Sequence, residues 1–393
     1  MKKVFISKSE SDCFKGESQN PATRSDTNPS HTKPHYEILD GLRGIAAIMV
    51  LAFHVFEAYY VTNPAGKFDQ VLNHAYLAVD FFFVLSGFVI GYAYDDRWNR
   101  MSIVQFLKRR IFRLHPMVIF GTALGVVMFY FGASAAFPLI QNIPLWQVLL
   151  YAVLGILMIP TPPSIDIRGW QEMYTLDAPT WTLAFEYFAN LLYALFIRRF
   201  SRTMLTILVT VAACLTLHLT LTQGDVIGGW TVDAKHMYVG FTRLMYPFFA
   251  GLLLYRLGRV IRIPQAFAWS SLLLVTVLVI PRLGGTEAQW KNGIYEAAVI
   301  LAIFPLIVAV GAGGKIKGKR ASRMCKLLGD ISYPVYLVNY PICYVHTGWA
   351  SDTGYTLAEA GWVPYIVFTV TLLISYAAMR FYDIPVRKWL RKF

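Results

Sequence analysis

The chain has 393 residues, of which 56% are hydrophobic and 15% are charged. That is too apolar for a soluble protein, and apolar runs of about 16 to 22 residues recur to the end, as in a polytopic helical membrane protein. The net charge of +13 would suggest nucleic acid in a soluble chain. Here the basic residues cluster between hydrophobic runs, so topology accounts for them and no nucleic-acid partner is expected.

Residues 1–36 are polar and rich in Ser, Lys, Thr and Asn, without an apolar h-region or an A-x-A site. They read as a disordered cytoplasmic tail, not a signal peptide. Residues 37–393 read as one membrane domain. Eleven apolar segments are visible, at 44–62, 73–94, 116–137, 145–160, 180–198, 203–222, 237–255, 265–281, 293–312, 327–347 and 361–381. Basic residues set their sides. The tail, with Lys2, Lys3, Lys8, Lys15, Arg24 and Lys33, is inside, and the loop carrying Lys67 is outside. Residues 95–115, with Arg97, Arg100, Lys108, Arg109, Arg110 and Arg113, are inside again.

Strict alternation fails at 145–160. If that segment spanned, Asp166, Glu172 and Asp177 would lie inside, and Arg198, Arg199 and Arg202 outside. The segment is short and flanked by Pro144 and Pro160. Reading it as re-entrant or interfacial removes both conflicts, and the later loops then alternate cleanly. The expected fold is an all-α polytopic transmembrane helical bundle, with about ten spanning helices, one re-entrant or interfacial segment and both termini cytoplasmic.

Residues 37–61, EILDGLRGIAAIMVLAFHVFEAYYV, carry Arg43 and His54 eleven positions apart. That separation is roughly 16 Å along a helix, about half the hydrocarbon thickness. Arg43 would then sit at the inner face and His54 near the midplane, where an ionisable residue is costly and points to function. Asp80, Glu186, Arg243 and Asn339 fall at similar depth on four other helices. One outcome is a structural ion pair, Glu186–Arg243 or Asp80–Arg243. Another is a general base, with a carboxylate fixing the histidine tautomer. A third is a proton relay in a transporter.

At the inner face, KRRIFRLHP places Arg110 and Arg113 on one helix side, beside Lys108 and Arg109. With Arg43 they could grip phosphates. Acyl-CoA has the matching shape, with phosphates at one end and a thioester on a long thin arm. Ser86 and Gly87 fit close helix packing better than nucleophilic catalysis. Trp181, Tyr333, Tyr336 and Tyr340 could stack on a sugar or serve as core aromatics. The four cysteines lack metal-ligand or disulfide spacing, and no metal or tightly bound cofactor is expected. Walker, dinucleotide, HExxH and G-x-S-x-G motifs are absent.

From Tyr36 to the C-terminus, six motifs in order resemble the acyltransferase 3 family of membrane O-acyltransferases. They are LDGLRGIAAIMVLAFH with its R-x10-H spacing, AVDFFFVLSGFVIGY, FLKRRIFRLHP with its R-x-x-R, PTWTLAFEYFAN, LGDISYPVYLVNYPI and FYDIPVRKWL. The resemblance implies transfer of an acyl group, usually acetyl, from cytoplasmic acyl-CoA to a glycan hydroxyl across the membrane. It makes His54 essential. Taken with the shared depth and the basic cluster, His54 would act as general base or transient acyl carrier, with Asp80 or Glu186 orienting it. It implicates Arg43, Arg110 and Arg113 in donor handling and Glu186 in catalysis or acceptor positioning. Asn339 stands where the family often has histidine, and cannot shuttle a proton. No SGNH-type hydrolase domain follows in this sequence, so a two-domain glycan acetylase is not expected. The alternative is a transporter or flippase, disfavoured by the lack of internal repeats.

Overall fold

The computed structural model describes residues 35–60 and 72–392. The polar tail and Lys67 therefore lie outside the described residues. The described residues form helices joined by loops, with an isolated bridge between Ser134 and Phe137 and no named strand. Its helices are α1 (Glu37–Glu57), α2 (Ala78–Tyr94), α3 (Ile103–Met128), α4 (Leu145–Ile156), α5 (Thr180–Leu195), α6 (Arg202–Gln223), α7 (Ala234–Leu257), α8 (Ala266–Val279), α9 (Trp290–Ala298), α10 (Phe304–Gly313), α11 (Lys319–Thr353), α12 (Val363–Ala378) and α13 (Ile384–Leu390). A π turn at Val299–Ile303 joins α9 to α10, and another at Met379–Asp383 joins α12 to α13.

Seven helical stretches among the described residues are long and apolar enough to cross a membrane. They are Glu37–Glu57, Ala75–Tyr94, Ile103–Met128, Arg202–Gln223, Ala234–Leu257, Trp290–Gly313 and Val363–Leu390. The protein is an integral membrane protein. The expected count of about ten exceeds this number for a physical reason. Helices α5 and α8 have 16 and 14 residues, short of the ~20 that a ~30 Å core requires. Helix α11 has 35 residues, but its first third is basic and polar. Helix α4 has only 12 residues, with Leu145, Trp146, Leu149, Leu150 and Val153 exposed. On α6, Ile207, Val211 and Leu215 are exposed four apart, an apolar stripe of the kind lipid covers.

Small residues decide how closely the helices approach. A Cβ at Gly87 of α2 would fall 1.8 Å from the Phe248 carbonyl oxygen on α7, and one at Gly251 would fall 2.0 Å from that of Val84. The two glycines thus seat α2 and α7 backbone against backbone. Helix α1 packs along α11, where a Cβ at Gly44 would fall 2.4 Å from the Leu328 carbonyl oxygen. Pro341 lies inside α11 and has no N–H for the Leu337 carbonyl four residues earlier.

The segment between α4 and α5 is not helical for most of its length, but it is tied down. The Asp166 carboxylate accepts from the backbone N–H groups of Arg168 (3.0 Å), Gly169 (2.7 Å) and Gln171 (2.8 Å). Arg168 is buried, with its guanidinium carbon 3.6 Å from the Tyr344 ring centre and near Phe129 and Phe137. Gly121 and Gly125 of α3 let Asp177 and Leu176 of this segment come into contact.

Candidate active site

Helix α1 stops at Glu57, where a turn covers residues 58–60, so His54 lies in its last turn instead of mid-helix. Its Nδ1 is 3.0 Å from Glu57 Oε2, three residues on. Its ring meets Tyr340 of α11 edge-on, with centres 4.8 Å apart. Tyr340 packs edge-on against Tyr344 at 4.7 Å, and the Tyr344 hydroxyl donates to Glu172. The histidine therefore has a carboxylate partner, but it is neither Asp80 nor Glu186.

Asp80 belongs to Arg243. Arg243 Nη2 donates to Asp80 Oδ2 at 2.8 Å and to the Tyr76 carbonyl at 2.8 Å, and Trp181 lies beside the guanidinium at 5.5 Å. Both charged side chains are sealed, at 3% and 0% exposure. Trp181 is buried as well, against Phe185. Asn339 is fully buried and donates to the Val335 and Tyr336 carbonyls of its own helix. The single polar layer expected from helix depth is thus divided among separate clusters.

Glu186 joins the arginines. Arg110 Nη2 donates to Glu186 Oε1 at 2.5 Å, and Ser86 donates to the same oxygen at 2.7 Å. Ser86 is thus a polar link besides lying next to a packing glycine. Arg43 donates to Asp40 (2.9 Å), Ser332 (3.0 Å) and the Gly329 carbonyl (3.1 Å), which ties α1 to α11. Arg113 interacts electrostatically with Arg43, Arg110, Glu186 and Asp40. Its side chain is exposed. Three of the four expected donor arginines share one electrostatic neighbourhood, which suits a polyanion. Arg109 is the exception, exposed while its neighbour Arg110 is buried. Among the described residues, no group of three or more His, Cys, Asp or Glu could hold a metal.

The acyltransferase 3 family model, described as an acyltransferase domain, matches residues 36–380. The chain belongs to the acyltransferase 3 family. Its class of reaction is transfer of acyl groups other than amino-acyl groups, and the transport reading gives way. This acyltransferase is 24% identical over 388 residues to O-acetyltransferase OatA of Staphylococcus aureus, covering 89% of this chain and 57% of OatA. It is 32% identical over 164 residues to Protein 2 in picA locus of Rhizobium radiobacter, covering 40% of this chain and 80% of that protein. It is 26% identical over 167 residues to Acyltransferase MdmB of Streptomyces mycarofaciens, covering 41% of this chain and 38% of MdmB. No solved structure gives a significant match.

Sequence reasoning missed Glu57, Glu172 and Asp177. Glu57 had a signal, since side chains three apart on a helix are neighbours. The other two were counted only as loop charges. Burial raises the Glu172 carboxyl to about 8, against the opposing effects of the Tyr344 hydroxyl and Arg168. That burial follows from the segment folding back onto α11, which a charge count does not reveal.

Proposed function

We propose that this acyltransferase moves an acyl group, acetyl in the simplest case, from cytoplasmic acyl-CoA to a hydroxyl of an extracytoplasmic glycan. The observation that carries the reading is the His54–Glu57 pair on a helix whose other end holds Arg43. Acyl-CoA is a co-substrate in this reading. Its phosphates lie at Arg43, Arg110 and Arg113, with Arg109 adding charge at the mouth, and its arm reaches toward His54. Glu57 accepts Nδ1–H and leaves Nε2 for the acceptor proton. As His54 takes that proton, the hydroxyl oxygen attacks the thioester carbonyl carbon. The C–S bond breaks, and the proton passes on to the leaving thiolate. Glu186 holds Arg110 in place. The O-acetyltransferase name of the OatA relative supports oxygen as the acyl acceptor.

The topology that serves this transfer has ten spans. Helices α5, α8 and α11 join the seven long apolar stretches, α4 is re-entrant or interfacial, and both termini are cytoplasmic. A cysteine placed at Ile165 then labels from outside with an impermeant reagent. Labelling only after the membrane is opened would make α4 a span.

The test of function uses sealed vesicles loaded with glycan and given acetyl-CoA labelled in the acetyl group. Label appears as a base-labile ester on the glycan with wild type. It falls by at least about 100-fold with His54→Ala, since a positioned base contributes that much. Glu57→Gln lowers kcat about tenfold and leaves the KM for acetyl-CoA unchanged, as a residue that only orients the base should. Full transfer by His54→Ala would end the assignment.

A further inference from the structure

The segment between α4 and α5 buries two ionisable side chains that the acyl-transfer scheme above does not use. Arg168 is 1% exposed and Glu172 is 5% exposed. Burial of such groups is costly, and one return on it is a fixed local arrangement. Both act on Tyr344 of α11. The Arg168 guanidinium lies over the face of that ring, and the Tyr344 hydroxyl donates to Glu172. Phe137 meets the same ring edge-on, with centres 5.6 Å apart. Three contacts from three directions hold Tyr344 still.

What the fixed ring supports lies one turn away. Tyr340 is four residues earlier on α11, so the two side chains share a helix face. They pack edge-on with centres 4.7 Å apart, and Tyr340 in turn meets His54 edge-on at 4.8 Å. Tyr340 also interacts electrostatically with Glu57, Glu172 and Arg168. The histidine's partner from α1 and the two side chains of the segment therefore surround one ring.

The histidine needs such support. His54 sits in the last turn of α1, and its partner Glu57 is on the same turn with a side chain 30% exposed. Its sequence neighbour Phe53 lies edge-on at 5.2 Å. These contacts come from α1 itself, so they move with the helix end. A general base must stay within about 0.5 Å of its productive place, which calls for packing from a second element. Tyr340 supplies it from α11. Pro341 follows directly and interrupts the helical bonding there, so Tyr340 gains from a brace of its own.

We infer that Tyr340 is a positioning residue for His54, and that Arg168 and Glu172 hold it in place through Tyr344. This rests on the reading of His54 as the base and adds the residues that aim it.

The test uses the full chain in nanodiscs with acetyl-CoA, water standing in for the acceptor hydroxyl. Free-thiol release gives kcat, and calorimetry gives the donor Kd. Tyr340→Leu removes the ring and keeps apolar bulk. It should lower kcat about tenfold, since misplacing a reacting group by about 1 Å can cost about 100-fold, while the Kd stays within about twofold. Tyr340→Phe keeps the edge-on ring and should retain at least about half of the wild-type kcat. Tyr344→Leu, one ring further away, should lose less than Tyr340→Leu. Tyr340→Leu and Glu57→Gln act on the same imidazole, so the double variant should lose less than the product of the two single losses. If Tyr340→Leu does not fold, Tyr340→Met carries the same comparison.

Wild-type kcat in the folded variant without the ring overturns the inference. So does a loss in Tyr340→Phe equal to that in Tyr340→Leu, or single losses that multiply in the double variant. Each of these leaves the histidine reading standing while His54→Ala releases no thiol. Thiol release by His54→Ala at the wild-type rate overturns both.

Discussion

Of the arginine–carboxylate pairs that join separate helices, Arg243–Asp80 and Arg110–Glu186 differ most usefully in access. Arg243 and Asp80 are sealed at 3% and 0% exposure, with backbone carbonyls and Trp181 around the guanidinium. Arg110 and Glu186 are 4% and 16% exposed, share an oxygen with Ser86, and have open Arg113 nearby. The first pair has nothing left to offer a ligand and acts as a brace between α2 and α7. The second keeps a solvent-accessible carboxylate and neighbouring positive charge. An intramembrane charge therefore indicates function only when a ligand can reach it. A charge whose partners are all protein indicates architecture instead.

Breaking the sealed pair should have the larger effect on the fold. Arg243→Met leaves Asp80 buried without a partner and should cost about 3–5 kcal/mol, read as a loss of folded protein and a lower Tm. Replacing both, with Asp80→Leu and Arg243→Met together, should restore the Tm and retain acyl transfer. Full folding with lost transfer in that double variant would make the pair functional and collapse the contrast. The open pair should respond in binding. Arg110→Ala should raise the KM for acetyl-CoA about tenfold, the worth of a charge-assisted contact, and shift the Tm less than Arg243→Met does.

A smaller effect concerns pH. Glu172 has an ordinary value of 4.5 and is raised to about 8 in the fold. Between those values the folded protein keeps a proton that the unfolded chain has lost. Stability is therefore full below the lower value and declines as pH rises through the upper one. The Tm of wild type in detergent should drop across that window, and Glu172→Gln should flatten the drop.

Much of this was legible in the sequence, because helix geometry is regular. The R-x10-H spacing put Arg43 and His54 far apart on one helix, and the arginine cluster at the start of α3 was plain. Depth alone could not say which of five polar residues meet, since facing directions depend on tilt and rotation. Asp80–Arg243 was one of two foreseen ion pairs. Arg110–Glu186, joining residues 76 positions apart, was not foreseen. His54 ended nearer the helix terminus than expected because α1 stops at Glu57 while the apolar run continues. The segment between α4 and α5 was the least legible. Its fold depends on Asp166 capturing three backbone N–H groups and on Arg168 inserting among aromatic rings, and neither has a periodic signature.

The measurement that tests the account most directly separates donor binding from chemistry. Purified wild type, His54→Ala and Arg110→Ala/Arg113→Ala would each be given acetyl-CoA, with binding read by calorimetry and turnover by free-thiol release. The account predicts that the arginine variant loses binding, while the histidine variant binds normally and releases no thiol. Thiol release by His54→Ala at the wild-type rate, or unchanged binding by the arginine variant, would contradict it.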